Sequence, residues 1–76
     1  MSAPKKNLAS LKIGQSAIID GFTDTELSVK LLEMGCLPGC EITLSSKAPF
    51  GDPISVNVCG YQLSLRLGEA STIEIK

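Results

Sequence analysis

The three cysteines are the residues of this sequence best suited to metal or redox chemistry. Cys36 and Cys40 are separated by three residues, and Cys59 follows much later in the chain. Thiolates bind soft metals such as zinc, and exposed thiols can be oxidised. However, three thiols are fewer than the four ligands of a structural zinc site, and free cysteines are commonly buried as small apolar groups. We therefore interpret all three as reduced, structural thiols, with a metal-binding or redox-sensing site as the alternative.

Other chemically active groups are scarce. The sequence contains no histidine, the side chain that most readily acts as a base or as a transition-metal ligand near neutral pH. It has no glycine-rich phosphate-binding motif and no evident pair of catalytic carboxylates. A net charge of −1 does not match the basic surface of nucleic-acid-binding proteins. The sequence thus predicts no catalytic residue, no cofactor, no metal site and no nucleic-acid partner.

The length and composition are those of one small folded domain. The chain has 76 residues, of which 43% are hydrophobic and 20% are charged. No apolar run reaches the roughly 18 to 20 residues of a membrane-spanning helix, and the first residues lack the apolar stretch of a secretory signal. We expect a cytoplasmic protein without membrane insertion, with a flexible tail at residues 1–7 and a single domain at residues 8–76.

One helix is predicted at residues 24–34. Thr23 is a suitable N-cap, and Glu26 three positions later completes a capping box. Gly35 supplies the left-handed residue that commonly ends a helix. Within the helix, Glu26 and Lys30 have the i, i+4 spacing of an ion pair.

Apolar residues lie on two sides of this helix. Leu27, Leu31 and Met34 share one narrow side, whereas Val29 and Leu32 point away from it. For so small a protein, packing of both sides against the domain's own core is the favoured interpretation. A surface that faces a partner protein is the alternative.

Short segments of alternating apolar and polar residues predict about five strands. The clearest pair forms a hairpin if Cys59 and Gly60 make a two-residue loop. This register places all apolar pairs on one side of the hairpin: Val58 with Tyr61, Val56 with Leu63 and Ile54 with Leu65. Short twisted strands with one apolar face are best buried by curling. The predicted fold is mainly β, an SH3-like, partly closed barrel of about five strands with one α-helix inserted between the first two.

Four segments occur in a distinctive order along the chain. They are Leu8-x-x-Leu11-x-x-Gly14, the run from Lys30 to Gly39, the run from Ala48 to Ile54, and Leu63-Ser64-Leu65-Arg66. This ordered set resembles the ferrous-iron transport protein A (FeoA) family, and the resemblance spans residues 8–75. Lys30 stands where that family often has arginine, and lysine cannot make the planar, bidentate contacts of a guanidinium group.

The resemblance implies a small SH3-like domain that accompanies the bacterial ferrous-iron permease, whose membrane protein B carries a cytosolic G-protein domain. On this hypothesis the chain is a non-enzymatic accessory or regulatory protein, held at the inner membrane by docking on that cytosolic part. Val29, Leu37 and Phe50 are the predicted contact residues. Two alternatives remain: a thiol-based metal or redox sensor, and an interaction module related to the SH3-like domain of iron-dependent repressors. The oligomeric state is not predicted.

Overall fold

Residues 6–76 are described by the computed structural model, which consists of six strands, two α-helices and one turn of 3-10 helix at Leu8–Ser10. The strands are β1 (Lys6–Asn7), β2 (Ser16–Phe22), β3 (Glu41–Lys47), β4 (Ile54–Val58), β5 (Tyr61–Leu65) and β6 (Ile73–Ile75). The helices are α1 (Thr25–Met34) and the single-turn α2 (Leu67–Ala70). The first five residues of the predicted tail lie outside the described residues. Its last two, Lys6 and Asn7, form β1 instead and pair with Ile75 and Glu74 of β6.

All strand pairs are antiparallel, in the order β1-β6-β2-β3-β4-β5. The first half of β2 pairs with β3, and its second half pairs with β6 after a register shift between Ile19 and Gly21. β2 therefore belongs to two small sheets that enclose the interior between them. Within residues 6–76 the edge strands β1 and β5 do not pair with each other, so the barrel is not closed. The mainly β prediction is confirmed, with six strands and α1 between β2 and β3.

The core consists of apolar side chains from both sheets and from one side of α1. Burial alternates along β4 with a period of two, as expected for a strand with one face against the core. The large side chains that are fully buried are Leu8, Ile19, Leu31, Ile42, Leu44, Ile54, Val56, Val58, Leu65 and Ile73.

The β4–β5 hairpin has the register predicted from its alternation. Val58 pairs with Tyr61, and the ladder continues without a shift to Ile54 and Leu65. Cys59 and Gly60 form the two-residue loop with φ values of 48° and 90°. Positive φ at both positions is the feature of the type I′ turn that matches the twist of paired strands. Cysteine is unusual at such a position, yet the register dictated by the apolar faces is retained.

Helix α1 begins one residue later than predicted, and its N-cap is Asp24. The Asp24 Oδ1 atom accepts a hydrogen bond of 2.9 Å from the backbone N–H of Leu27. Thr23, the predicted cap, does not cap the helix. Its backbone N–H donates to the Thr72 carbonyl at 2.8 Å, which extends the pairing of β2 with β6. Gly35 ends the helix as predicted, with a φ of 104°.

Replacing Asp24 by alanine should lower the free energy of unfolding by about 1 kcal/mol, because the Leu27 N–H loses its cap. Thr23→Ala is the matched control and should cost less than about 0.5 kcal/mol, since its main hydrogen bond is made by the backbone. Urea unfolding of the two variants measures both values. A larger loss for Thr23→Ala would show that the cap is assigned to the wrong residue.

Candidate docking surface

The outer side of α1 exposes two aliphatic side chains. Val29 is 55% exposed and Leu32 is 40% exposed, while Leu31 between them in sequence is completely buried. Leu27 and Met34 are partly buried against the core, as predicted for the inner stripe. The interpretation that both sides of the helix pack inward is therefore wrong. The helix contacts the domain along one stripe only, so the side that carries Val29 and Leu32 faces outward.

The turn after α1 holds Leu37 at the surface. Gly35 N–H donates to the Leu32 carbonyl at 3.1 Å, and Cys36 N–H donates to the Leu31 carbonyl at 2.9 Å. This pair of bonds closes the helix end as a Schellman motif, in which the residue after the glycine packs inward. Cys36 accordingly has no exposed area, and Leu37 is 48% exposed. We call Val29, Leu32 and Leu37 the apolar patch.

Phe50, the third predicted contact residue, lies on a different element. It is 97% exposed in the loop between β3 and β4. That loop is closed by backbone hydrogen bonds from Ala48 N–H to the Pro53 carbonyl and from Gly51 N–H to the Ala48 carbonyl, at 2.9 and 2.7 Å. The structure thus presents Phe50 to solvent on a hydrogen-bonded turn, separate in sequence from the apolar patch.

Helix α2 connects the loop of Phe50 to α1. On one side, the Asp52 Oδ1 atom accepts a hydrogen bond of 3.0 Å from the backbone N–H of Leu67. On the other, the Glu69 Oε2 atom lies 2.7 Å from the Lys30 Nζ atom of α1. Side-chain bonds to this short helix therefore tie down both elements that carry predicted contact residues.

Glu69 is the residue supporting this candidate surface that sequence reasoning missed. Its Oε1 atom accepts a hydrogen bond of 3.0 Å from the backbone N–H of Arg66, and its Oε2 atom pairs with Lys30. Lys30 was expected to pair with Glu26 on its own helix, but its partner lies 39 residues further along the chain. The spacing Arg66-x-x-Glu69, a glutamate at the third position of a helix, is the signal that could have revealed half of this arrangement.

The pKa of the Glu69 carboxyl is lowered from its ordinary value of 4.5. The hydrogen bond from Lys30 is the main cause, and the hydrogen bond from the Arg66 N–H adds to it, because both favour the ionised form. Partial burial acts in the opposite direction and is outweighed.

The three thiols differ in exposure. Cys36 is buried, Cys40 is half-buried and Cys59 is exposed, and all three are free. Burial raises the pKa of Cys36, with smaller contributions from nearby Cys40 and Glu69. The structural role predicted for Cys36 is confirmed by its place in the core. Within residues 6–76, no three carboxylate, thiol or imidazole groups are arranged to hold a metal ion.

None of the helices in the described part of the chain has the length and apolar character needed to cross a membrane.

Comparison with known proteins identifies relatives along the whole described chain. Residues 6–76 match the FeoA domain family. A curated relative, the Fe(2+) transport protein A/Fe(2+) transporter FeoB fusion protein of Porphyromonas gingivalis, is 34% identical over 70 residues. That match covers 91% of this chain but only 8% of the fusion protein.

Solved structures share the same fold. A FeoA-like protein from Clostridium acetobutylicum is 33% identical, with a TM-score of 0.88 over 99% of this chain and 88% of its own. FeoA from Stenotrophomonas maltophilia, a prokaryotic SH3 domain protein solved in complex with zinc, is 26% identical to this chain. The TM-score is 0.82, and the match covers 93% of this chain and 89% of that protein. The SH3-like fold predicted from the sequence is confirmed.

A manganese-dependent transcriptional repressor also contains this fold. Its TM-score is 0.86 over 99% of this chain and 37% of the repressor, at 17% identity. At that identity the similarity concerns the fold and carries no statement about function.

Replacing Glu69 by glutamine should lower the free energy of unfolding at pH 7 by about 1 kcal/mol, through loss of the ion pair with Lys30. Because the folded-state pKa of Glu69 is depressed, its stabilising contribution is present above pH 4.5 and is lost as the pH falls through the folded pKa. The difference from wild type should therefore disappear in acid. Urea unfolding at pH 7 and at successively lower pH values measures it.

Glu26→Gln is the matched control, since it removes the carboxylate that was expected to pair with Lys30. It should change stability less than Glu69→Gln at pH 7. The reverse order would contradict the assigned ion pair.

Proposed function

Because the chain belongs to the FeoA family, we propose that it is a non-enzymatic accessory protein of bacterial ferrous-iron transport that docks on the cytosolic G-protein part of the permease, protein B. Docking places it in the cytoplasm, peripheral to the inner membrane. There it adjusts the gating or the nucleotide cycle of the permease, while the permease itself carries the iron.

The fusion protein of P. gingivalis supports association with protein B. In one polypeptide, a linker holds two domains at a high effective concentration, up to the millimolar range for short linkers. Contact between the two domains still requires a complementary surface on each of them. A surface for that association is therefore expected on the present chain.

The apolar patch is the observation that carries the docking proposal. Single exposed aliphatic side chains are common on proteins, but Val29 and Leu32 are neighbours at i, i+3 on one helix face, and Leu37 is exposed on the turn that follows this helix. Glu33 is also exposed on α1. An apolar centre flanked by charged groups is the usual composition of a protein interface.

The surroundings of the patch favour a preorganised surface. α1 is capped by Asp24 and Gly35, and Lys30 fixes it to α2 through Glu69. Because the helix ends and its connection to the domain are already ordered, little conformational entropy is lost when a partner binds. Phe50 provides a second exposed anchor on a turn that α2 also holds in place.

Val29→Glu should weaken binding to the cytosolic domain of protein B by about tenfold or more, because a charge would be buried in an apolar contact. Glutamate is a better helix former than valine, so α1 should remain intact. Ile13→Glu is the matched control, since Ile13 is a β-branched residue of similar exposure, 61%, outside α1. Calorimetric titration of the purified domain gives the affinities, and ferrous-iron uptake should fall with Val29→Glu but not with Ile13→Glu.

If Val29→Glu and Ile13→Glu bind protein B with equal affinity, the apolar patch is not part of the interface. Absence of binding by the wild-type chain, together with unchanged uptake in cells that lack it, would refute the docking proposal itself.

Phe50→Ala tests whether the β3–β4 loop belongs to the same interface. We expect affinity for protein B to fall by about fivefold or more, because an exposed aromatic anchor is lost. Tyr61→Ala, a substitution of the other strongly exposed aromatic residue, should leave the affinity unchanged. If both variants bind like wild type, the interface is confined to α1 and the turn that follows it.

A further inference from the structure

Cys40 and Cys59 are brought together by the pairing of β3 with β4. Ile42 pairs with Val58, and one step further the Cys59 N–H donates to the Glu41 carbonyl at 3.3 Å. Cys59 is therefore opposite Glu41, and Cys40 is the next residue along the opposing chain. For antiparallel strands this offset corresponds to a Cα to Cα separation of roughly 6 to 7 Å, at the upper end of the range that disulfides span.

The backbone does not hold the two side chains on opposite faces of the sheet. In a regular strand, Cys40 and Cys59 would lie on opposite faces of the sheet. Cys59, however, is the first residue of the hairpin turn, and its left-handed backbone interrupts this alternation. The raised pKa of Cys40, whose largest cause is the neighbouring Cys59 thiol, agrees with the proximity that the β3–β4 register gives the two residues.

We propose that Cys40 and Cys59 form a redox-active pair that closes to an intramolecular disulfide when the protein meets a small-molecule disulfide such as oxidised glutathione. Both thiols are free, and the one that begins the reaction, Cys59, is exposed. Cys36 does not take part, since its side chain is fully enclosed in the core.

The reaction proceeds by two thiol–disulfide exchanges. The Cys59 thiolate, after losing its proton to solvent, attacks one sulfur of oxidised glutathione and releases glutathione thiolate. The Cys40 thiol then loses its proton and attacks the Cys59 sulfur of the mixed disulfide, which releases the second glutathione thiolate. The two protons convert both thiolates to reduced glutathione, so two protein thiols are oxidised and one glutathione disulfide is reduced. Because only the thiolate form of Cys40 attacks the mixed disulfide, this second step should become faster as the pH increases.

Closure of this bond would have a defined structural effect. It links the residue before β3 to the residue after β4 and so encloses both strands and their loop in one covalent ring. The backbone N–H of Cys40 donates to the Leu37 carbonyl at 3.0 Å, so the turn that carries Leu37 is adjacent to the ring. A cross-link between paired strands restricts the unfolded chain more than the folded one and should raise stability.

The test is to incubate the folded full-length chain with oxidised glutathione and then block the remaining thiols. We expect the titratable thiols to fall from three to one, and peptide mass mapping to join Cys40 to Cys59. The urea midpoint should rise and should return to its starting value after treatment with dithiothreitol. Cys40→Ser should instead accumulate glutathione on Cys59, which detects the first step in the absence of the second.

Cys36→Ala is the matched control and should form the same disulfide, provided that circular dichroism shows it folded. Three results would overturn the proposal: wild type that retains glutathione on Cys59 while Cys40 stays free, a covalent dimer joined through Cys59, or a disulfide that includes Cys36. Each can be read from the mass of the intact protein and its peptides. None depends on binding to the permease, so failure here is distinguishable from failure of the docking proposal.

Discussion

Helix α1 is anchored to the core by a single completely buried side chain, and this constraint explains how the rest of the structure is arranged. Across Thr25–Met34, Leu31 is the one residue that is completely buried, with Leu27 and Met34 partly buried beside it. The interior between two small sheets is already filled by strand residues, so it accepts one narrow helix stripe and no more. The remaining apolar side chains of the helix stay outside for a geometric reason, since a rotation that buried Val29 would expose Leu31.

Because so little of α1 is buried, its orientation depends on polar contacts at its two ends and along its side. Asp24 fixes the first turn, the Gly35 turn directs Cys36 into the core, and Lys30 reaches Glu69. Glu69 also accepts from the Arg66 N–H and so orders the helical turn that Asp52 caps from the other side. A few carboxylates in this way keep two exposed apolar regions in fixed positions, which is what a docking function requires.

The sequence was most informative where local pattern and tertiary structure agree. The β4–β5 register followed from alternation alone, because a slip by one residue would have moved Val56 and Leu63 to solvent. Position in the sequence was a poor guide where partners are distant. The Glu69 partner of Lys30 and the β6 partner of β1 depend on how β2 is shared between two sheets, and no local spacing reports that. Thr23 and Asp24 are both good caps, and only the pairing of Thr23 with Thr72 decides between them. The approach of Cys59 to Cys40 depends on a left-handed turn residue that cysteine seldom provides.

The pairing of β1 with β6 determines how this domain can be attached to other chains. Lys6 lies opposite Ile75, and the backbone N–H of Lys76 donates to the Ile18 carbonyl at 2.9 Å, so the two ends of the described chain lie side by side at the same end of the β1–β6 pair. A tether added in front or behind would start from nearly the same point. Fusion to a larger protein at either end would therefore attach the domain at a similar position, and it would not require a change in any strand.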